Sequence, residues 1–350
     1  MFPIDALNYD QDMIVKFNKL TQQEQKIKPV HHLLPQVVLV GQDAGTVTDE
    51  AAKRFPGLKP GIPVSAPEGD QPAALAGSLI GRPGLISCSF GTSVCANVVG
   101  FSNEDKGTTV RTNSQSSVDI FCAPNGQTIY MVWLRNGTTF FNTIVSNYSD
   151  GTQKASFERI MPLVLKAPPD CEGLIALPFM DDEPGLKISE GGTALIMGWN
   201  ACNSKCPGNA CKAALTATMY NLKLGLEDLL LQRPEQPLTE IVLSGGLVLT
   251  PETGQILSNI MDLPVRLLTA AEEGCSWGAA VLAKYRYLCC TGGCTEDWPT
   301  YLESITLPSD STLFLPNRTE VILYGEHYKK YKRLLALQSQ LQHVLDPNLQ

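Results

Sequence analysis

Two short stretches carry residue types suited to moving a phosphoryl group. Asp70 follows Gly69 behind an apolar lead, Gly61-Ile62-Pro63-Val64, and a β-type run from Leu85 to Ser89 delivers Gly91-Thr92-Ser93. A lone carboxylate can take the proton of an attacking alcohol. A glycine-hydroxyl turn offers backbone N–H groups and hydroxyls to phosphate oxygens. Between the two, Gln71 to Ile80 is small and apolar, which predicts a tightly packed helix, and Gly81 to Gly84 turns the chain. Each half also has a plainer reading. Gly-Asp is a common pair, and Gly-Thr-Ser between strands is an ordinary tight turn. Apolar residues flank Gly91 on both sides from Gly84 to Gly100, so a β-hairpin with this turn at its tip is expected.

A third stretch, Ile241-Val242-Leu243-Ser244-Gly245-Gly246, reads as a buried strand that ends in two glycines. Glycines there let backbone approach a flat or phosphorylated ligand where a Cβ would collide. A helix is expected to begin near Pro251, which suits a first turn. A bland strand-to-helix turn is the rival on local grounds.

The elements that must position these residues alternate between strand and helix, which predicts an α/β protein. Asp10 to Lys28 is expected to contain a helix, and Gln36 to Val40 reads as a buried strand. After Gly41, the run Asp43-Ala44-Gly45-Thr46 could begin a phosphate loop. The competing reading is a strand-turn-helix in which Thr48 caps Asp49 to Arg54. Strands are expected at Thr128–Leu134, Gly173–Phe179 and Thr193–Trp199, and helices at Thr138–Tyr148 and Phe157–Leu165. Asn209 to Leu231 has Leu215, Met219, Leu222, Leu226, Leu229 and Leu230 at helical spacing, which predicts a long helix with one core face. Turns and loops are expected from Leu288 to Pro316, and a closing helix from Val321 to Leu345.

Composition limits the partners. The chain has 350 residues and a formal net charge of −8, with no basic run to offset it, so nucleic acid is not expected as a partner. The N-terminus lacks the pattern of a signal peptide, and no run is long and apolar enough for a membrane span. Eleven cysteines read as buried, reduced thiols of a cytoplasmic protein, Cys88, Cys95 and Cys275 among them. The clusters Cys202/Cys206/Cys211 and Cys289/Cys290/Cys294 lack zinc spacing, and no metal ligands are assigned. Asp181-Asp182-Glu183 is read as a solvated acidic turn before Pro184.

Taken together, Gly69-Asp70-Gln71-Pro72-Ala73-Ala74-Leu75-Ala76-Gly77 and Ser89-Phe90-Gly91-Thr92-Ser93 resemble the carbohydrate kinases of the FGGY family, xylulokinase-like members above all. These pair a G-D-x-x-A-(A/S)-L-x-G segment with an S-(L/F)-G-T-S loop. Gly45 to Ala52 followed by Gly61-Ile62-Pro63-Val64 is similar to the family's segment just upstream of the acid, which favours the strand-turn-helix reading there. Gly173 to Phe179 resembles its G-L-x-x-L-P-(Y/F) strand, although the G-E-R-x-P turn that usually follows lacks its arginine here. Gly245-Gly246 with Gln255 to Ile260 and Leu263-Pro264-Val265 is similar to its adenosine segment, and Glu272 to Ala280 to the helix after it.

The resemblance spans about residues 1 to 290. It implies an actin-like ATPase (ribonuclease H-like) fold, with the end of a first, sugar-binding domain at 1–83 and an essentially complete nucleotide-binding domain at 84–350. It implies ATP and Mg2+, with Asp70 as general base, Gln71 on the sugar, Gly91, Thr92 and Ser93 on phosphates, and Gly245, Gly246 and Thr250 near adenosine. The substrate would be a small ketose such as xylulose, and a homodimer is compatible with it. The family's first phosphate loop, a strand followed by D-x-G-T, has no counterpart here, so the chain resembles the C-terminal part of such a kinase. The alternative is a non-catalytic nucleotide-binding remnant, a pseudokinase.

Overall fold

The computed structural model describes residues 3–5, 8–21, 28–101, 118–148, 153–245, 250–268, 274–305 and 311–345. A short antiparallel pair, β1 (Pro3–Asp5) and β2 (Asn8–Tyr9), leads into helices α1 (Gln11–Thr21), α2 (Asp49–Arg54) and α3 (Asp70–Gly77). Next come the strands β3 (Leu85–Phe90), β4 (Val94–Val99), β5 (Val118–Cys122) and β6 (Thr128–Leu134), then the helices α4 (Thr139–Asn147) and α5 (Gln153–Lys166). A separate antiparallel pair, β7 (Ile175–Leu177) and β8 (Leu195–Met197), precedes the 26-residue α6 (Pro207–Gln232). The chain continues through β9 (Glu240–Gly245), α7 (Thr253–Met261), β10 (Val265–Leu267), α8 (Gly274–Thr291) and α9 (Trp298–Ser304). It closes with β11 (Thr312–Phe314), α10 (Arg318–Leu335) and α11 (Gln338–Leu345).

Seven strands form one mixed sheet in the order β11-β10-β9-β3-β4-β6-β5. β10, β9 and β3 run parallel, and the other neighbours pair antiparallel. Period-two alternation gives this sheet two unlike faces. Ile86, Cys88 and Phe90 of β3, with Ala96, Val98, Tyr130, Val132, Ile241 and Leu243, enter the main core. That face is covered by α4, α5, α6, α7 and α10. The other face packs Val99, Phe121, Ile129 and Val242 against Leu75 of α3 and Ile80 just beyond it. The alternate positions also put Ser87, Ser89, Asn97 and Ser244 on this second face.

The ends of the helices have local causes. Thr48 Oγ1 accepts the N–H of Ala51 at 3.1 Å and starts α2, as its sequence predicts. Asp297 caps α9 through the N–H of Thr300, and Asn317 caps α10 through those of Thr319 and Glu320. In α6 every residue from Gly208 to Leu222 is buried, so the expected single core face widens to the whole girdle of the helix. Small residues make this possible: a Cβ on Gly225 would strike Val132 of the sheet.

Several expectations are corrected. Gln36 to Val40 forms no strand and is at most half-buried. A β-prone run becomes a strand only beside a partner ladder, and here Val40 makes a single backbone bond, to Pro124 O at 2.8 Å. The region between Leu288 and Pro316 contains α9 and β11, and the closing helix is broken into α10 and α11 around Leu337. Pro251 lies just before α7 rather than inside its first turn. Cys275 is exposed, at the start of α8. The acidic turn is not solvated throughout, because Glu183 has 0% exposure and is hydrogen-bonded to the backbone of 135–136.

Candidate functional site

Asp70 opens α3. Its N-cap, Gly69, has no side chain to close the first turn, and Asp70 Oδ1 instead accepts the N–H of Gln71 at 2.9 Å. A carboxylate at this end also complements the helix dipole. The side chain stays exposed. Gln71 is held by β4, where Asn97 Nδ2 donates to Gln71 Oε1 at 2.8 Å. That leaves the Gln71 amide NH2 turned toward Asp70, 3.4 Å from Oδ2. Asn97 is 2% exposed, and its Oδ1 has no hydrogen-bond partner among the described residues. A buried acceptor of this kind calls for a donor such as a hydroxyl or water.

Two cavities meet at Asp70. One, of about 360 Å³, is polar, with Asp70, Gln71, Ser87, Ser89, Asn97, Ser244, Gly245 and Ser276 on its walls. The other, of about 340 Å³, is largely apolar and runs between Val37–Leu39, Glu68–Pro72 and Phe121–Pro124. Burial in its wall pushes the Glu68 carboxyl up to about 7. Cys95 is raised to about 11, by burial first and then by the negative charge of Asp70.

The hairpin turn forms as expected at the tip of β3 and β4, closed by Gly91 N–H to Ser93 O at 2.8 Å. The turn between β6 and α4 braces it. Gly137 N–H donates to Thr92 O at 2.9 Å, and the N–H and Oγ1 of Thr138 both donate to Gly91 O at 2.9 Å. In a trans peptide the C=O and the following N–H point in opposite directions, and the described residues contain no cis peptide. With the carbonyls of Gly91 and Thr92 drawn toward 137–138, the N–H groups of Thr92 and Ser93 point away from that turn. Two adjacent amides on one side of a turn can both approach an anion.

Gly245 sits beside this turn because β3 and β9 are parallel and pair Phe90 with Gly245. Its φ is +81°, and a Cβ there would come within 2.9 Å of Phe90 N. Glycine is thus required twice over. From this point the chain of β3 turns toward β4, while that of β9 crosses through α7 to β10 on the other side. A crevice at the carboxyl ends of two such strands is a common ligand site.

The structure therefore brings Asp70, Gln71 and Gly245 onto one cavity and sets Gly91, Thr92 and Ser93 at the adjoining strand end, though not in that cavity's walls. Thr250 is half-buried and accepts from Thr253 through its carbonyl at 2.7 and 3.0 Å; it lines neither cavity. Gly246, Glu272 and Glu273 lie outside the described residues. Sequence reasoning missed Ser89, Ser244, Asn97 and Glu68. The first two were within reach, since a hydroxyl at every second position marks the face of a strand that a core does not claim.

Residues 86–287 match the FGGY family of carbohydrate kinases, C-terminal domain. No curated protein sequence matches the chain. Among solved structures, the chain is similar to ligand-bound xylulose kinase from Lactobacillus acidophilus, with TM-score 0.72 and 16% identity over 95% of this chain and 61% of that one. Gluconate kinase from Lactobacillus acidophilus gives 0.70 and 14% over 92% and 60%. Plasmodium falciparum glycerol kinase with ADP gives 0.69 and 15% over 95% and 60%. At these identities the likeness shows the fold, the actin-like ATPase fold expected from the sequence. The chain spans about three fifths of the length of these kinases.

Proposed function

The chain belongs to the FGGY family of carbohydrate kinases, and from that premise we propose that it serves ATP-dependent phosphorylation of a hydroxyl on a small sugar, a ketose such as xylulose. The observation that carries this reading is the polar cavity with the Asp70 carboxylate on one wall and Gly245 on another, beside a turn with two outward amides.

Asp70 acts as general base. The alcohol's proton passes to its carboxylate, the alcohol oxygen bonds to the γ-phosphorus, and the bond from that phosphorus to the bridging oxygen breaks to release ADP. The Gln71 NH2, fixed by Asn97, orients the sugar hydroxyl toward the base. Thr92 and Ser93 give their N–H groups and hydroxyls to β- and γ-phosphate oxygens, and Gly91 permits the tight turn. Gly245, with Gly246 and Thr250 after it, receives adenosine.

Magnesium neutralises the phosphates when it is bound. The described residues contain no group of three or more His, Cys, Asp or Glu able to hold a metal ion. Among the described residues, Asp70 is the one carboxylate on the polar cavity's wall. The described residues do not build a magnesium site by themselves, so the ion would come with the nucleotide.

On this reading residues 1–83 are the end of a first, sugar-binding domain and 84–350 the nucleotide-binding domain. All eleven cysteines are free thiols, which suits the reducing cytoplasm. No helix among the described residues is long and apolar enough to cross a membrane. A second reading, nucleotide binding without turnover, is motivated by the missing arginine of the family's G-E-R-x-P turn, in whose place the chain has Asp181-Asp182-Glu183-Pro184-Gly185. A coupled ADP-release assay over a panel of ketoses and polyols separates the two. Sugar-dependent ADP release supports the kinase. Nucleotide binding with no release for any acceptor establishes the second reading in its place.

A further inference from the structure

The turn that braces the hairpin is held from behind by a buried carboxylate, and we propose that Glu183, with Asn136, is a positioning residue for phosphate capture at Gly91–Ser93. The proposal rests on the kinase reading above.

Four successive amides, 135 to 138, are divided between two tasks. Glu183 Oε1 accepts the N–H of Arg135 at 3.0 Å, and Oε2 accepts that of Asn136 at 2.8 Å. The next two, from Gly137 and Thr138, donate to Thr92 O and Gly91 O. The carboxylate thus sets the direction of the peptides that draw the hairpin carbonyls inward and turn the Thr92 and Ser93 amides out.

The carboxylate is itself tied down. Asn136 Nδ2 donates to Glu183 Oε2 at 3.1 Å and to the carbonyls of Asp181 at 3.0 Å and Asp182 at 3.2 Å, while Oδ1 accepts the N–H of Asp181 at 2.9 Å. Glu183 and Ile188 exchange both backbone bonds, at 2.8 and 3.0 Å. Gly185 lets this turn lie against β6, where a Cβ would come within 2.9 Å of Trp133 O. On the far side, α6 reaches in through Thr218 Oγ1, which donates to Gly137 O at 3.0 Å.

Burying a charge is costly unless it meets several donors. An amide in the same place offers one acceptor oxygen and turns an NH2 against another N–H, so the pattern demands a carboxylate. Two of its donors are the backbone N–H groups of Arg135 and Asn136, which lead directly into the phosphate turn, and this is why the role assigned is positioning.

The test compares ATP with adenosine on the whole chain, by calorimetry with magnesium present. Adenosine reads the nucleoside pocket alone, and the ratio of the two affinities reads the phosphate turn. Glu183→Gln is expected to weaken ATP about tenfold or more while adenosine stays within about twofold. Thr138→Val, which removes one bond to Gly91 O and leaves the buried carboxylate intact, is expected to weaken ATP about threefold with the same selectivity. If Glu183→Gln fails to fold, Asn136→Ala, which removes the side-chain donor to Glu183 Oε2 and the ties to 181–182, decides by the same criterion. Unchanged ATP binding, or equal weakening of both ligands, overturns the positioning role. If the unaltered chain binds ATP no better than adenosine, or binds neither, the kinase reading fails and this proposal with it. A wild-type preference for ATP that survives in the variants removes only the role of Glu183.

Discussion

Gly77 of α3 and Gly278 of α8 meet backbone to backbone: a Cβ on Gly278 would come within 2.8 Å of Gly77 N and closer still to the carbonyl of Ala73. This contact sets how α3 lies on the second face of the sheet and so where Asp70 projects. Gly278→Ala should therefore push the two helices apart. Overpacking of this kind costs about 1–3 kcal/mol, measurable as a lowered urea midpoint. The expected loss of turnover exceeds what the lost stability explains, because Asp70 moves with its helix. Unaltered stability in Gly278→Ala would show that the crossing relaxes freely.

Asp70→Asn preserves shape and removes the carboxylate proposed as the base. Turnover should fall by at least about a hundredfold, while ATP affinity changes by less than about twofold. The coupled assay and calorimetry read the two quantities separately. Retained turnover would take the base role away from Asp70.

Glu68 predicts a slope of stability against pH. Burial raises its carboxyl from 4.5 to about 7 in the fold. The folded state therefore holds this proton more tightly than the unfolded chain does. Its stabilising contribution is complete below about 4.5 and is lost as pH rises through about 7. Glu68→Gln should flatten that slope and stabilise the protein at pH 8 by roughly 1–2 kcal/mol, after allowance for the solvent that reaches the cavity wall. Denaturant titrations at a series of pH values decide it, and an unchanged slope would mean the carboxylate is well solvated.

His327 predicts the opposite flank. Its Nδ1 lies 3.0 Å from the Tyr220 hydroxyl and its Nε2 3.0 Å from Leu174 O, so Nε2 carries the hydrogen and Nδ1 accepts. Burial, the largest influence, holds the imidazole below its usual value. The neutral form belongs to the fold, and its contribution is present above about pH 6.5 and lost as pH falls through the lowered value. His327→Gln should remove this part of the acid-induced loss, read as melting temperature between pH 7 and 5. A loss on acidification that persists undiminished would assign it to carboxylates instead.

What was legible in the sequence was local. The turn at Gly91, the cap at Thr48 and the glycine at the end of β9 each follow from residue type and spacing over a few positions. The failures share a cause: they depend on what lies opposite. Gln36 to Val40 has the composition of a strand but no ladder beside it. Glu183 stands in an acidic run that looks solvated until Arg135 and Asn136 arrive from another part of the chain. Cys275 opens a helix-like run and still faces outward, because only one face of α8 is buried: among 274–280 Gly278 alone is buried. The hydroxyl-lined second face was encoded in the alternation of Ser87, Ser89 and Ser244, but its meaning came from the polar cavity that α3 leaves over it.

The parallel pairing of β3 with β9 has a consequence in time. Ser244 Oγ donates to Cys88 O across 156 residues of sequence. As the chain emerges from the ribosome, β3 and β4 can close their hairpin at once, yet the other edge of β3 waits for Gly245. Contacts of such long range form slowly, and an unpaired strand edge recruits foreign strands in the interval. The crevice beside Gly91 is thus among the last parts of the sheet to be made. The edge that will become its floor is where the nascent chain is most open to misassembly.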